Sequence, residues 1–491
     1  MIRVWSKRIV LDLVRDKFSD YLFVVVSNRQ PYIYKFVKGK IECIRGPGGV
    51  ITALDPVMCE LKGLWVASGS GEADRLVAKD SKVKVPPQEE SYTLKYVWLT
   101  KEENLGFYYG FSNQALWPLM HLVYVRPQIK EEDWRVYKKV NKKFAQSVYK
   151  EIKDKKAIVF FQDYHLALSS LYLKELKPDA ITLLFWHIPW PPYDVFRILP
   201  QRAELLKGLL SYDLLGFHIR YFGNNFLEAI ANELEAKVNK ENSSVTFQSH
   251  TSLVRAYPIS VDFEGISQKA KSPEVEEAMR SLKEDFSLEG KKIIVGLDRI
   301  DYTKGIIERI LGVDKLLELY PSLKGKVIFV QVGEISRIHL SQYKKLNDEI
   351  NALVEEVNFK HRRGSWKPII FVRRHLSFSE LLAFYRLANV CLVTSLHDGM
   401  NLVAKEFISS QIEEKGVLVL SKFTGAARQL KEALIVNPYS REEVASALYR
   451  AFSMEETEIK ERMRRLRQSV RANNIWKWIG KIITDIPLPK F

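Results

Sequence analysis

Short, mainly apolar runs recur along the chain: LFVVV (22–26), IVFF (158–161), TLLFW (182–186), KIIVGL (292–297), VIFVQV (327–332), IIFV (369–372), CLVT (391–394) and VLVL (417–420). They are rich in Val, Ile and Phe and too short for ordinary helices. An alternating run would have one wet face, whereas an unbroken run predicts a strand buried on both faces, as in a parallel sheet. Helix-like segments separate the runs, so the pattern is an α/β alternation. One group lies in the first half of the chain and a second begins near residue 290, with YPISVDFEGISQKAKSPEVEE as the crossover. The predicted fold is α/β, with two doubly wound, Rossmann-like domains facing a cleft. The first covers 1–260 and the second 261–470. The segment 471–491, with the aromatic residues of NNIWKWIGKIITDIPLPKF, is expected to return to the first domain.

Parallel α/β sheets take their ligands beyond the carboxyl ends of the strands. Here those ends are polar. Ser27-Asn28-Arg29 follow the first run, Gln162-Asp163-Tyr164-His165 the second and His187 the third. Asp298-Arg299-Ile300-Asp301, then Lys304, follow KIIVGL; Gly333-Glu334, then Arg337, follow VIFVQV; His397-Asp398-Gly399 follow CLVT. Any one set reads equally well as turn chemistry. Six sets rich in Arg, His and Asp point to one shared ligand site.

The stretch SLHDGMNLVAKEF (395–407) reads as a loop opening a helix near Asn401. The amides of Asn401, Leu402 and Val403 would then lack internal partners and can hold an anion. Gly399 lets the backbone turn sharply beside a ligand. On a continuous helix, Asp398 and Glu406 would be about 12 Å apart along the axis and about 80° apart around it. That spacing suits a ligand with hydroxyls at both ends and a negative charge between, such as a nucleotide sugar. Asp398 would hold the sugar, the amides the diphosphate, and Glu406 the ribose diol. Arg299 and Lys304 would add positive charge to the diphosphate. The plainer alternatives, a capping Asp398, a surface Glu406 and salt bridges from Arg299 or Lys304 to Asp298 or Asp301, stay open on spacing alone. The loop Gly46-Pro47-Gly48-Gly49 beside Arg29 is a further phosphate or backbone site, although it fits neither a Walker pattern nor GxGxxG.

Composition narrows the function. The 491 residues exceed one ordinary core. No run reaches the roughly 18 apolar residues of a membrane span, and MIRVWSKRIVLDLVRDKF lacks a signal-peptide pattern. Three cysteines with no CxxC argue against disulfides or a cysteine zinc site and fit a reducing cytoplasm. The net charge of +16 would serve nucleic acid, acidic membranes or phosphorylated small molecules, although the basic stretches, mixed with acids, read first as solvated helix faces. Without an RRM, KH or zinc-finger signature it does not make a nucleic-acid protein.

Nine stretches resemble the trehalose-6-phosphate synthases, in that family's order: VVVSNR (24–29), GPGGVITAL (46–54), YYGFSNQALWPLMH (108–121), FQDYHL (161–166), HIPWPPYDVFRILP (187–200), LLSYDLLGFH (209–218), LDRIDYTKGI (297–306), SLHDGMNLVAKE (395–406) and GVLVLSKFTGAARQL (416–430). The resemblance implies a retaining GT-B glycosyltransferase that moves glucose from a nucleoside-diphosphate glucose to glucose 6-phosphate. It implies donor positions at Gly48, Gly49, Arg299, Lys304, the Leu376 backbone, Leu402, Val403 and Glu406, with Gly399, Met400 and Asn401 beside them. Asp398 and His187 would touch the transferred glucose, and Arg29, Tyr108, Trp117, Asp163 and Arg337 would hold the acceptor. Catalysis would rest on His187, Arg299, Lys304 and Asp398, with no enzyme nucleophile, no metal and no cofactor, the sugar nucleotide being a co-substrate. Small molecules are the expected partners, with no nucleic acid or membrane; a homo-oligomer is compatible with the sequence.

Three departures bear on this. Ser68 stands where the family commonly has a second tryptophan after Trp65, His397 replaces the usual Arg before DGMN, and Pro47 stiffens the glycine loop. They leave open a glucosylglycerol-phosphate synthase using glycerol 3-phosphate, and the donor base is equally open among UDP, ADP and GDP. A non-catalytic regulatory subunit is a third reading, opposed by the retained Arg299, Lys304, Asp398 and Glu406. The chain lacks a DxDxT motif, so a phosphorylated product is expected.

Overall fold

The computed structural model describes residues 5–46, 49–334 and 340–488. These residues form two compact units, one spanning Met1–Ile259 with Ile475–Phe491 and the other Ser260–Asn474. The first holds strands β1 (Leu22–Arg29), β2 (Tyr32–Val37), β3 (Lys40–Arg45), β4 (Leu64–Ser68), β5 (Lys82–Val85), β6 (Tyr92–Val97), β7 (Ala157–Gln162), β8 (Ile181–Phe185), β9 (Leu214–Phe217), β10 (Lys237–Asn239), β11 (Ser244–Phe247) and β12 (His250–Ala256). The second holds β13 (Lys292–Arg299), β14 (Val327–Glu334), β15 (Ile369–Val372), β16 (Val390–Val393), β17 (Val417–Ser421) and β18 (Leu434–Val436).

Every apolar run is a strand, and the inner ones are buried along their whole length: β7, β8, β16 and β17 expose no residue appreciably. In the second unit the strands run in parallel in the order β15-β14-β13-β16-β17-β18. The chain moves outward from β13 to β15, then returns to the other side of β13. That reversal leaves a crevice at the carboxyl ends of β13 and β16, the place where such sheets bind ligands.

The first unit repeats the logic in the order β10-β11-β12-β9-β8-β7-β1-β4-β6-β5, parallel from β12 to β6. Its reversal lies between β1 and β7. The parallel strands β4, β6, β9 and β12, the antiparallel edges and the separate β2–β3 hairpin are additions that the apolar runs do not announce, as is β18 in the second unit. The edges and the hairpin are short and partly exposed, so they carry no long apolar signature.

The last helix, Ile475–Asp485, packs within the first unit. Trp478 meets Phe185 edge-on, with ring centroids 5.1 Å apart, and lies 6.5 Å from Phe160. Lys17 donates to the Ile483 and Thr484 carbonyls, and the Tyr257 hydroxyl to Asp485. Among the described residues no helix is long and apolar enough to cross a membrane.

Candidate active site

In the second unit the two strand ends at the reversal are joined by side chains. β13 closes on Asp298 and Arg299, with Arg299 paired in register with Glu334 of β14. The chain then makes a single 3-10 turn, Tyr302–Lys304, capped by Asp301, whose carboxylate accepts the Thr303 amide at 3.0 Å. Gly305 follows at φ +61°, and a Cβ there would lie 2.1 Å from the Thr394 carbonyl oxygen. Only glycine allows that approach. The turn delivers the Lys304 ammonium to Asp398, just past β16, at 2.6 Å. Both side chains are 14 % exposed. Burial opposes the charge on Lys304, but Asp398 and Asp298 outweigh it and hold the amine above its ordinary value. The salt bridge that Lys304 makes is thus to Asp398, not to Asp298 or Asp301 as in the plainer alternative.

The helix after Asp398 begins later than its sequence predicts. It spans Leu402–Ser410, and Asn401 is its cap rather than its first residue. The Asn401 side-chain oxygen accepts the Ala404 amide at 3.0 Å, while its amide nitrogen reaches Asp398 at 3.2 Å. Asn401 sits at φ +83°, a region that disfavours most side chains. Asp398 lies in the loop, neither capping the helix nor sharing it with Glu406, so the 12 Å axial spacing does not apply. Gly399 and the buried Met400 lead into the cap, and their backbone is clasped by the following turn: Gly425 donates to the Asp398 carbonyl and Ala426 to that of Met400. Leu402 and Val403 form the half-buried first turn of the helix.

Glu406 lies on this helix and accepts a hydrogen bond from the Tyr385 hydroxyl at 3.0 Å. Burial pushes its carboxyl up to about 7, only partly offset by Tyr385. The neighbouring Lys405, donating to Gln429 at 2.7 Å, is pushed down to about 7 by its own burial. Leu376 is half-buried in the loop after β15, one residue before Ser377, the cap of the helix Phe378–Leu387.

The first unit holds a second cluster. Arg29, ending β1, donates to the Tyr108 hydroxyl at 3.0 Å, and the Tyr108 ring stacks on His165 at 5.7 Å. Tyr108 belongs to a π-helix, Leu105–Leu116, whose wide turn continues into Trp117: the Trp117 amide bonds back to the Ser112 carbonyl. π-turns often mark functional positions. Trp117 itself is only 7 % exposed and packs near His121 and Tyr164, more core aromatic than open platform. Asp163, directly after β7, has φ +71°. Such strain in a non-glycine residue persists only where its surroundings enforce it. Its carboxylate accepts the amides of Tyr164 at 2.9 Å and His187 at 3.1 Å, so it braces the loop after β8.

His187 is half-buried among Phe185, His218 and Trp478. Its Nε2 lies 3.1 Å from the Gln162 side-chain oxygen, and His218 bonds to its carbonyl. Burial, then the neighbouring His218 and His165, hold the imidazole well below its ordinary value. It is therefore neutral and can exchange a hydrogen bond but carries no charge. Gly49 opens the helix Gly49–Leu61; Gly48 and Arg337 lie outside the described residues. Ser68 donates to the Asn28 carbonyl beside Arg29. Among the described residues no group of three or more His, Cys, Asp or Glu is placed to hold a metal ion.

Sequence reasoning missed Tyr385 as the support of Glu406 and Arg309 beneath Lys304; it singled out Gln162 only as a strand-end residue and Trp478 only as one aromatic of the returning segment. Of the two missed residues, Arg309 carried a signal, a charged residue at an apolar position of its helix.

The family model described as "Glycosyltransferase family 20" matches residues 21–487. A trehalose-6-phosphate synthase from Mycobacterium avium is 35% identical over 464 residues, 93% of this chain and 93% of that protein. The alpha,alpha-trehalose-phosphate synthase [UDP-forming] A of Dictyostelium discoideum is 35% identical over 93% of this chain, which spans 61% of that relative's length. The crystal structure of a UDP-forming alpha,alpha-trehalose-phosphate synthase from Burkholderia xenovorans, in complex with glucose-6-phosphate, superposes with a TM-score of 0.85 at 30% identity, covering 94% of this chain and 99% of that one. The chain is a glycosyltransferase of GT-B fold and belongs to glycosyltransferase family 20, the family of the trehalose-6-phosphate synthases.

Proposed function

We propose that the protein is an α,α-trehalose-6-phosphate synthase, transferring glucose with retention from UDP-glucose to glucose 6-phosphate. The observation that carries this reading is the Lys304–Asp398 pair at the β13/β16 reversal, directly ahead of the Leu402 helix. A cation, a carboxylate and the positive end of a helix stand there together. A sugar nucleotide needs all three. Asp398 accepts hydrogen bonds from the glucose hydroxyls, while Lys304 turns to the diphosphate as the glycosidic bond breaks. Arg299 adds a second charge, and the Leu402 and Val403 amides, ahead of the one Asn401 takes, complete the anion site. Glu406 takes the ribose diol, as a carboxylate suits two hydroxyl donors.

In the first unit, Arg29 supplies charge for the acceptor phosphate and Tyr108 a flat face for its ring, with Asp163 holding the loop in place. His187 hydrogen-bonds a sugar hydroxyl as a neutral imidazole. The departing diphosphate takes the proton of the attacking hydroxyl, so no enzyme carboxylate acts as nucleophile. The protein's work is positioning and charge stabilisation. Lys304, Arg299 and the helix amides meet the leaving-group charge, so the reading calls for neither metal nor cofactor. UDP as the leaving nucleotide is supported by the UDP-forming relatives.

The test is nucleotide release by the purified protein. UDP-, ADP- and GDP-glucose are each offered with glucose 6-phosphate, glycerol 3-phosphate or water, and products are identified by mass. Release of UDP that depends on glucose 6-phosphate is expected. Release only with glycerol 3-phosphate would move the function to the sister synthase, and no release from folded protein would leave a regulatory subunit.

A further inference from the structure

The helix Ile306–Leu319 turns Ile306, Ile310, Val313, Leu316 and Leu317 inward, and Arg309 falls on the same face. Its side chain is wholly buried. A guanidinium out of water is costly unless its donors find acceptors. Arg309 finds them on two strands and just past the end of a third. Nη2 donates to Asp298 at the end of β13 at 2.6 Å, Nη1 to Gln331 of β14 at 2.9 Å, and Nε to the Thr394 hydroxyl just past β16 at 3.0 Å. The Thr394 hydroxyl donates onward to the Gly305 carbonyl at 2.8 Å, and the Leu396 amide to that of Thr303. The guanidinium thus sits under the turn that carries Lys304, inside the reversal between β13 and β16.

Charge gives this geometry its meaning. Two cations, Arg309 and Lys304, face two carboxylates, Asp298 and Asp398, and the structure pairs them one to one. Asp298 is close enough to Lys304 to favour its charged form. Were Arg309 neutral, Asp298 would be a buried carboxylate without its partner, and the Lys304 ammonium would be the available counter-charge. We infer that Arg309 is a positioning residue: by holding Asp298 it keeps the Lys304 ammonium directed to Asp398 and the donor diphosphate. This deepens the proposed function and rests on its placing of Lys304 at the donor.

Binding of UDP to the full-length protein, measured by calorimetry with the thermal midpoint of each variant alongside, tests it. Arg309→Met is expected to weaken UDP at least tenfold. Adding Asp298→Asn removes the competing carboxylate and should return the affinity to within tenfold of the parent. Lys304→Ala/Arg309→Met should bind no worse than Lys304→Ala, because Arg309 acts through Lys304. A purely structural Arg309 would lower the thermal midpoint and leave the UDP affinity of the folded protein unchanged, which overturns the inference. Should Arg309→Met not fold, the charge-balanced Asp298→Asn/Arg309→Met carries the test: affinity within tenfold of the parent supports the inference, and a greater loss overturns it. If Lys304→Ala itself binds UDP normally, the placing of Lys304 has failed; if only Lys304→Ala weakens UDP, the inference about Arg309 fails alone.

Discussion

Lys304 and Asp398 are 94 residues apart in sequence and 2.6 Å apart in space. A donor diphosphate entering beside them would draw the ammonium from its carboxylate and free Asp398 for sugar hydroxyls. Lys304→Ala and Arg299→Ala should each lower turnover by roughly a hundredfold, about 3 kcal/mol in the barrier, read as kcat under saturating substrates. Glu406 makes a pH prediction. Its carboxyl is raised by burial to about 7, so it is protonated below that pH and charged above it. A ribose diol donates hydrogen bonds, so nucleotide affinity should rise as pH climbs through about 7 and fall below it. Glu406→Gln should bind nucleotide more weakly above that pH and with a flatter profile. The same shift has the opposite sign for folding: an acid whose folded value is raised stabilises the protein below its unfolded value near 4.5, and that contribution is lost as pH rises through about 7. Equilibrium unfolding of the parent and Glu406→Gln across this window would show it. At this scale the sequence named the polar residues at the strand ends well. It named Gln162 only as a strand end, without its bond to His187, and it did not name Tyr385, which looks like any residue inside an apolar segment.

The helix Leu402–Ser410 shows how one element sets several roles. Its cap, Asn401, ties the first turn to Asp398, so helix start and charge pair are one structure. Asn401→Ala should cost about 1 kcal/mol of stability and also weaken the donor KM. Ser440 caps the helix Arg441–Ser453 by accepting the Glu443 amide. Ser440→Ala should cost a similar amount and leave the donor KM alone; chemical denaturation and donor titration of the two variants separate cap from site. The helix start was legible to within a residue, but not the loop conformation of Asp398. An Asn at φ +83° is set by contacts with Ser395, Asp398 and Ala404, which periodicity does not encode. The π-helix Leu105–Leu116 was likewise silent. It packs closely, with Gly106 against Val136 and Gly110 against Asp133, where a Cβ would collide.

Over the whole molecule, the chain leaves the first unit at Ile259 and rejoins it at Ile475. The returning helix is part of that unit's core, and Trp478 lies 6.4 Å from His187. Trp478→Ala should remove about 3–5 kcal/mol from the first unit and loosen the loop after β8. Faster hydrogen exchange in β7 and β8, with that of β16 and β17 unchanged, is the expected pattern. Because the proposed chemistry is carried by Lys304, Arg299 and helix amides, exhaustive chelation should leave turnover as it was; a loss restored by a divalent cation would contradict the mechanism.

The sequence by itself determined the strands that carry unbroken apolar runs and the polar ends beside them. Unbroken apolar runs encode strands buried on both faces, polar residues at their ends encode a ligand edge, and both are read within a few residues of one another. The order of the strands, and so which ends meet, came only with the tertiary structure. Every inner strand of a parallel sheet is apolar on both sides, so many orders would bury nearly the same surface and local pattern cannot choose among them. Strand order decided that Lys304 would reach Asp398 and that Arg309 would gather Asp298, Gln331 and Thr394, and the docking of the last helix decided that Trp478 would stand beside His187.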